Sequence, residues 1–254
     1  RSLIKFKGNS MKDNLLDIIA HTSDLGFDTV KVTGDETSTK IEGILSDKTL
    51  IVQSEFINPI HEFDGVFGMP NLPNLKTMLS SGEYKTDDVT IEVKYVDKDG
   101  VRTADHIHFE NSAGDFKNDY RFMVTDMVTE AVASVKLKTQ DWIVGCEPTM
   151  LGAQRLKNQA NIISDDTDFQ AFMEGDSLKF KFGDPSTHSG EFVFATGVSG
   201  SLPDNDWFWP IKHFAGIFSL PGDKTFSISV AGVAIVTVNS GIALYTYLLP
   251  AGTR

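Results

Sequence analysis

His106 and His108 stand two residues apart. On an extended chain such alternate side chains share a face, which is a spacing that a divalent metal site could use. Two imidazoles do not complete a coordination sphere, and no third His, Cys or carboxylate falls at a recognisable metal spacing. The expectation is a polar pair on a strand surface, with no metal and no cofactor. Gly216 to Thr225 approaches the phosphate-loop pattern G-x-x-x-x-G-K-[ST], with Gly222, Lys224 and Thr225 near the required places. It fails in three ways. Five residues separate the glycines, Asp223 would repel phosphate, and a strand is predicted where the pattern needs a helix N-terminus. A turn is expected there instead. The other histidines, His21, His61, His188 and His213, are scattered, and no G-x-S-x-G elbow, H-E-x-x-H pair or dinucleotide loop occurs. The chain is therefore expected not to be an enzyme.

These side chains must be positioned by elements, and the elements repeat. Apolar residues at Leu72, Leu75, Met78 and Leu79 recur as Ile211, Phe214, Ile217 and Phe218, an offset of 139. Each set follows an aromatic and a proline, Phe67 to Pro70 and Phe208 to Pro210, and each leads through a glycine turn into an alternating strand. Those strands, Val89 to Val93 and Phe226 to Val230, are offset by 137, and upstream Phe27 to Asp35 matches Phe169 to Asp176 at 141 to 142. A collinear set at a near-constant offset indicates two copies of one unit, with an irregular join around Asn111 to Thr139. Domains of roughly 100 to 150 residues also favour two in this length. The expected boundaries are 1–133 and 134–254.

Each unit reads as a helix, several strands, a second short helix and more strands, an α+β class. Period-two alternation predicts strands at Thr39 to Leu45, Thr49 to Ser54, Leu178 to Phe182, Glu191 to Ala195, Val233 to Val238 and Ile242 to Leu248. Turns fall at Gly34-Asp35, Asp99-Gly100, Gly175-Asp176 and Ser240-Gly241. Links this short join antiparallel strands. Ser10 with Asp13 predicts a capping box opening the first helix. Pro148 suits the first position of the third, whose Ala153, Leu156, Ala160 and Ile163 lie within about 80° of arc. Arg155 points away from that arc and Lys157 sits at its edge.

Of the 254 residues, 35 are acidic and 23 basic, a net charge of −12. That balance argues against a nucleic-acid binder only if charge is evenly spread. It is not. Lys76 in the second helix, Arg155 and Lys157 in the third and Lys212 with His213 in the fourth make three of the four helical segments basic or free of acid. The first dissents, with Asp13 and Asp17 against Lys12. A solvated helix face is the plainer explanation. With 41% hydrophobic residues and 23% charged, the chain is neither disordered nor collagen-like. No apolar run approaches the ~20 residues of a bilayer helix, and no basic-then-apolar leader opens the chain. Cys146 is the one cysteine and no N-x-S/T site occurs, so the expectation is an intracellular protein without membrane association.

Three segments carry a family resemblance: Asp141-Trp142-Ile143-Val144-Gly145-Cys146-Glu147-Pro148-Thr149 running into Arg155-Leu156-Lys157, then Leu178 to Asp184, then Ser240 to Tyr245 with the ending Leu249-Pro250. With the duplicated α+β unit and basic helices on an acidic body, the chain resembles the DNA sliding clamps, the polymerase processivity factors of T-even-like bacteriophages above all. The resemblance implies two similar domains, each with two helices packed on antiparallel sheets, in a homotrimeric ring with helices around a channel and strands outside. Such a ring encircles duplex DNA without reading sequence and tethers the replicative polymerase. Lys12, Lys76, Arg155, Lys157 and Lys212 are the implied channel residues. Leu248, Leu249 and Pro250 are implied as part of a partner-peptide pocket, with ordinary strand-end packing as the alternative. An ATP-dependent clamp loader would be a separate protein, and the location would be the cytoplasm of an infected bacterial host. The acidic run Asp204 to Trp207 and the stretch Tyr84 to Asp88 receive no role. The competing expectation is a β-rich structural virion or surface protein with no DNA-encircling role.

Overall fold

Ser10 and Asp13 close the reciprocal cap that their spacing predicts: the Asp13 N–H donates to Ser10 Oγ at 3.1 Å, and the Ser10 N–H donates to Asp13 Oδ2 at 3.1 Å. Two of the four orphan N–H groups at this helix end are thereby satisfied. The helix α1 (Met11–His21) buries Leu15, Ile18 and Ile19, then passes through a short 3-10 turn to Gly26, whose φ of 98° ends it. In the computed structural model, residues 10–98, 100–133, 141–163, 167–203 and 206–253 are described.

The chain continues with β1 (Val30–Gly34), β2 (Thr39–Ile44), β3 (Ile51–Phe56), β4 (Gly65–Met69), α2 (Leu72–Ser80), β5 (Thr90–Lys98), β6 (Val101–Glu110), β7 (Lys117–Arg121) and α3 (Thr125–Ala131). There follow β8 (Trp142–Cys146), α4 (Met150–Ile162), β9 (Asp168–Glu174), β10 (Ser177–Gly183), β11 (Ser189–Ala195), β12 (Ser199–Gly200) and β13 (Trp207–Pro210). The last elements are α5 (Ile211–Ser219), β14 (Asp223–Ser229), β15 (Val233–Asn239), β16 (Ala243–Pro250) and β17 (Gly252–Thr253). Helices α1 and α4 begin 139 residues apart, and so do α2 and α5. The order helix, strands, helix, strands thus occurs twice.

Two compact units result. Unit 1 comprises Arg1–Ile44, Gln53–Ser134 and Gly241–Leu244; unit 2 comprises Leu45–Val52, Val135–Ser240 and Tyr245–Arg254. In unit 1 the strand orders are β3-β2-β1-β4 and β5-β6-β7; in unit 2 they are β11-β10-β9-β13-β17 and β12-β8-β14-β15-β16. The hairpin pairs β1–β2, β5–β6, β9–β10 and β14–β15 are antiparallel, as short links require. Unit 1 buries Val30, Val32 and Phe67 of its strands together with Leu72 and Leu75 of α2. Unit 2 packs an aromatic core in which Phe180 stacks on Phe194 at 4.3 Å and Phe169 meets Phe214 edge-on at 4.9 Å. Each such pair adds about 0.5–1.5 kcal/mol beyond the area it buries.

Several local expectations are corrected. The cap of α4 is Thr149, whose Oγ1 accepts the Gly152 N–H at 3.0 Å, so Pro148 stands outside the helix rather than at its first position. Helix α3 is not foreshadowed by any periodicity in the sequence, because Val128 is its one buried side chain and no side chain caps it. Strand β1 starts at Val30, three residues after Phe27. Within the expected join from Asn111 to Thr139 lie β7 and α3, and its residues 134–139 fall outside the described residues, as do Asp99 of the Asp99-Gly100 turn and Asp204 and Asn205 of the acidic run.

Candidate nucleic-acid interface

In unit 1, α1 packs beside α2, and each turns an apolar stripe to the sheets: Leu15, Ile18 and Ile19 from one, Leu72, Leu75 and Leu79 from the other. Their cations are both engaged. The Lys12 ammonium donates to the carbonyls of Lys85 at 2.8 Å and Thr86 at 3.4 Å, which gives the Tyr84 to Asp88 stretch a structural task. Lys76 pairs with Asp24 at 2.6 Å, with both side chains about half exposed, so the pair contributes at most about 1 kcal/mol. One lysine against two aspartates on α1 and a single lysine on α2 leave this helix pair without net charge.

Unit 2 differs. Helix α4 lies on β11, and the approach is close enough that a Cβ on Gly152 would stand 2.3 Å from the Phe194 carbonyl oxygen. Leu156 is the fully buried contact of this helix, and α5 beside it buries Ile211, Phe214, Ile217 and Phe218. Arg155, Lys157 and Lys212 face outward or lie at the margin, and neither α4 nor α5 contains an acid. Arg155 Nη1 donates to the Val193 carbonyl at 3.1 Å, which orients its guanidinium, and among the described residues no carboxylate pairs with it. Burial, with Lys157 nearby, lowers the Lys224 ammonium below the ordinary lysine range against the pull of Asp223. Burial likewise lowers half-buried His213, with Lys212 adding to the effect and Asp47 opposing it. His213 Nε2 bonds Thr49 Oγ1 at 2.9 Å, and that hydroxyl donates to Asp47 Oδ1 at 2.7 Å. Formal positive charge without acid is therefore carried by the helices of unit 2, on Arg155, Lys157 and Lys212.

Leu248 and Leu249 are buried, and the Trp209 indole N–H donates to the Leu249 carbonyl at 3.2 Å. Of the three residues placed in a partner pocket, only Pro250 is exposed. The Gly216 to Thr225 segment runs from the end of α5 through a three-residue turn, 220–222, into the start of β14. Lys224 donates to the carbonyls of Leu220 and Gly222 in its own turn, and a Cβ on Gly222 would collide with the Asn239 carbonyl oxygen. His106 and His108 share a face of β6, as alternation predicts, but the fold adds Asp119 from β7. The expectation that no third ligand accompanies the pair is corrected, because strand register, not chain spacing, brings Asp119 opposite His108. The His108 bond holds the Asp119 carboxyl below the usual carboxylate range, and bonds from Lys117 and then His108 do the same for Glu110.

Among the described residues, no helix is long and apolar enough to cross a membrane. No protein-family model matches the chain, and no curated protein matches it in sequence. Solved structures do match in fold. PCNA from Thermococcus kodakaraensis is similar at a TM-score of 0.68 and 12% identity, over 96% of this chain and 98% of that one. A structure of the C-terminal region of FEN-1 bound to A. fulgidus PCNA gives 0.63 and 9%, over 96% and 95%. Proliferating Cellular Nuclear Antigen from Entamoeba histolytica gives 0.63 and 12%, over 95% and 94%. Nearly whole-length likeness on both sides, on a duplicated unit of few helices and antiparallel sheets, makes this the sliding-clamp fold.

Proposed function

We propose that the chain is a sliding clamp of DNA replication, a scaffold without catalytic chemistry, three copies of which close head to tail around duplex DNA and tether the replicative polymerase of a T-even-like bacteriophage. The observation that carries this is the charge of α4 and α5: three cations and no acid, on a protein whose net charge is −12. Phosphate contacts of this kind hold a duplex without reading its sequence, so they permit sliding. An acidic remainder opposes binding elsewhere. Head-to-tail closure needs two unlike edges. Among the described residues β7 ends a sheet of unit 1 and β11 ends one of unit 2, each with one side unpaired. The channel set in this reading is Lys12, Lys76, Arg155, Lys157 and Lys212, within domains bounded near 133/134. The A. fulgidus PCNA structure with a bound FEN-1 segment supports partner docking by a terminal peptide, with Pro250 as its exposed contact here. Opening such a ring falls to a separate ATP-dependent loader, in the cytoplasm of the infected host.

Sedimentation and DNA topology test the proposal together. The protein is expected to sediment at three times 27.9 kDa and, once loaded, to remain on circular DNA and leave when the circle is linearised. A monomer at all concentrations, or equal retention on both DNA forms, overturns the reading.

A further inference from the structure

The β5-β6-β7 sheet has two unlike faces. Ile107, Phe109 and Tyr120 are buried on one, while His106, His108 and Glu110 of β6 and Lys117, Asp119 and Arg121 of β7 stand on the other in paired register. His106 Nε2 lies 3.6 Å and His108 Nδ1 2.7 Å from one oxygen, Asp119 Oδ1, and the three donor atoms lie within 4.8 Å of one another. Donors sharing a zinc ion at about 2.0–2.2 Å each stand about 3–3.5 Å apart, so side-chain rotation alone would close this set on an ion.

A second feature concerns the nitrogens that face away from Asp119. His106 Nδ1 bonds Asp105 Oδ2 at 2.7 Å, and His108 Nε2 bonds Glu110 Oε2 at 3.3 Å. Each ring thus presents one nitrogen to the shared oxygen and gives the other to a separate carboxylate. That is the outer arrangement that fixes tautomer and orientation in metal-binding histidines. Asp105 reaches the histidine face because of a bulge: His106 pairs with Lys94 and Ala104 with Tyr95, leaving Asp105 as the extra residue. The outer carboxylates are themselves anchored, Asp105 by Arg121 and Glu110 by Lys117 at 3.1 Å.

We propose that His106 Nε2, His108 Nδ1 and Asp119 Oδ1 bind a zinc-class divalent cation, with water in the fourth position. Two imidazoles and one carboxylate suit zinc, cobalt and nickel, whereas calcium and magnesium take oxygen ligands. Asp119 is 45% exposed, so the ion has direct access from solvent. The site shares no residue with the helix cations, and its test is independent of DNA binding.

Calorimetric titration of the chelator-stripped full chain with zinc chloride is expected to give one ion per chain. His108→Ala and Asp119→Ala should each weaken binding a hundredfold or more, and Glu110→Gln, which touches the ion only through His108, ten- to a hundredfold. His61→Ala and His188→Ala, at exposed histidines elsewhere, should leave binding unchanged. Cobalt added to the unaltered protein should develop the visible absorption of a four-coordinate ion and lose it on zinc addition, a readout that needs no variant to fold. Absence of stoichiometric zinc binding, a cobalt spectrum like that of the free aqueous ion, or full affinity in a His106→Ala, His108→Ala double variant overturns the proposal.

Discussion

Cys146 shows what burial does to one reactive group. It sits on β8 opposite Phe226, with no cation among the described residues acting on it, and burial pushes its thiol up to about 11. The thiolate is the reactive species, so native alkylation by iodoacetamide should rise about tenfold per pH unit from pH 8 to 10, whereas an unfolded thiol levels off above about 8.5. The linked stability has a definite sign. The neutral thiol favours the folded state fully below about 8.5, and that contribution is lost as pH rises toward about 11. A native labelling rate that levels off below pH 9.5 would contradict burial as the cause. Single residues were legible in the sequence only where their partners are near in the chain. The Ser10–Asp13 cap spans three residues and was readable; the Asp119 bond depends on the register of β6 with β7, and the Lys76–Asp24 pair spans 52 positions.

At the scale of elements, the two helix pairs share geometry and differ in charge. Helices α1 and α2 carry as many acids as bases and tie their lysines to carbonyls or to Asp24, while α4 and α5 carry bases alone. In the clamp reading, replacing Arg155, Lys157 and Lys212 by Ala should shorten residence on circular DNA far more than replacing Lys12 and Lys76. It should also flatten the salt dependence by about 0.9 in log–log slope for each phosphate that is no longer neutralised. Equal effects of the two sets, or an unchanged slope, would remove unit 2 from its place as the main electrostatic grip on DNA. Periodicity made α1, α2, α4 and α5 readable because each buries a stripe of three or more side chains or carries a cap. The short α3, with one buried residue, left no such trace.

For the whole molecule, the duplication was legible because both copies bury the same pattern, and an apolar spacing survives divergence that erases residue identity. The composition of the units was not. Unit 2 includes Leu45–Val52, which supplies fully buried Leu50 and Val52 and the Thr49 bond to His213. A fragment of residues 135–254 should accordingly be less stable than the same region in the intact chain. The two missing apolar side chains alone represent about 1.5–3 kcal/mol each. Denaturant unfolding of the fragment, followed by aromatic fluorescence, checks this; a midpoint equal to that of the intact chain would show that the segment is dispensable.

The constant spacing of the helices has one more consequence. Three chains in a closed circle would repeat their backbone six times and their charge only three. A phosphate strand travelling through would meet sticky and slippery sectors by turns, an alternation of hold and glide that no inspection of the backbone alone would reveal.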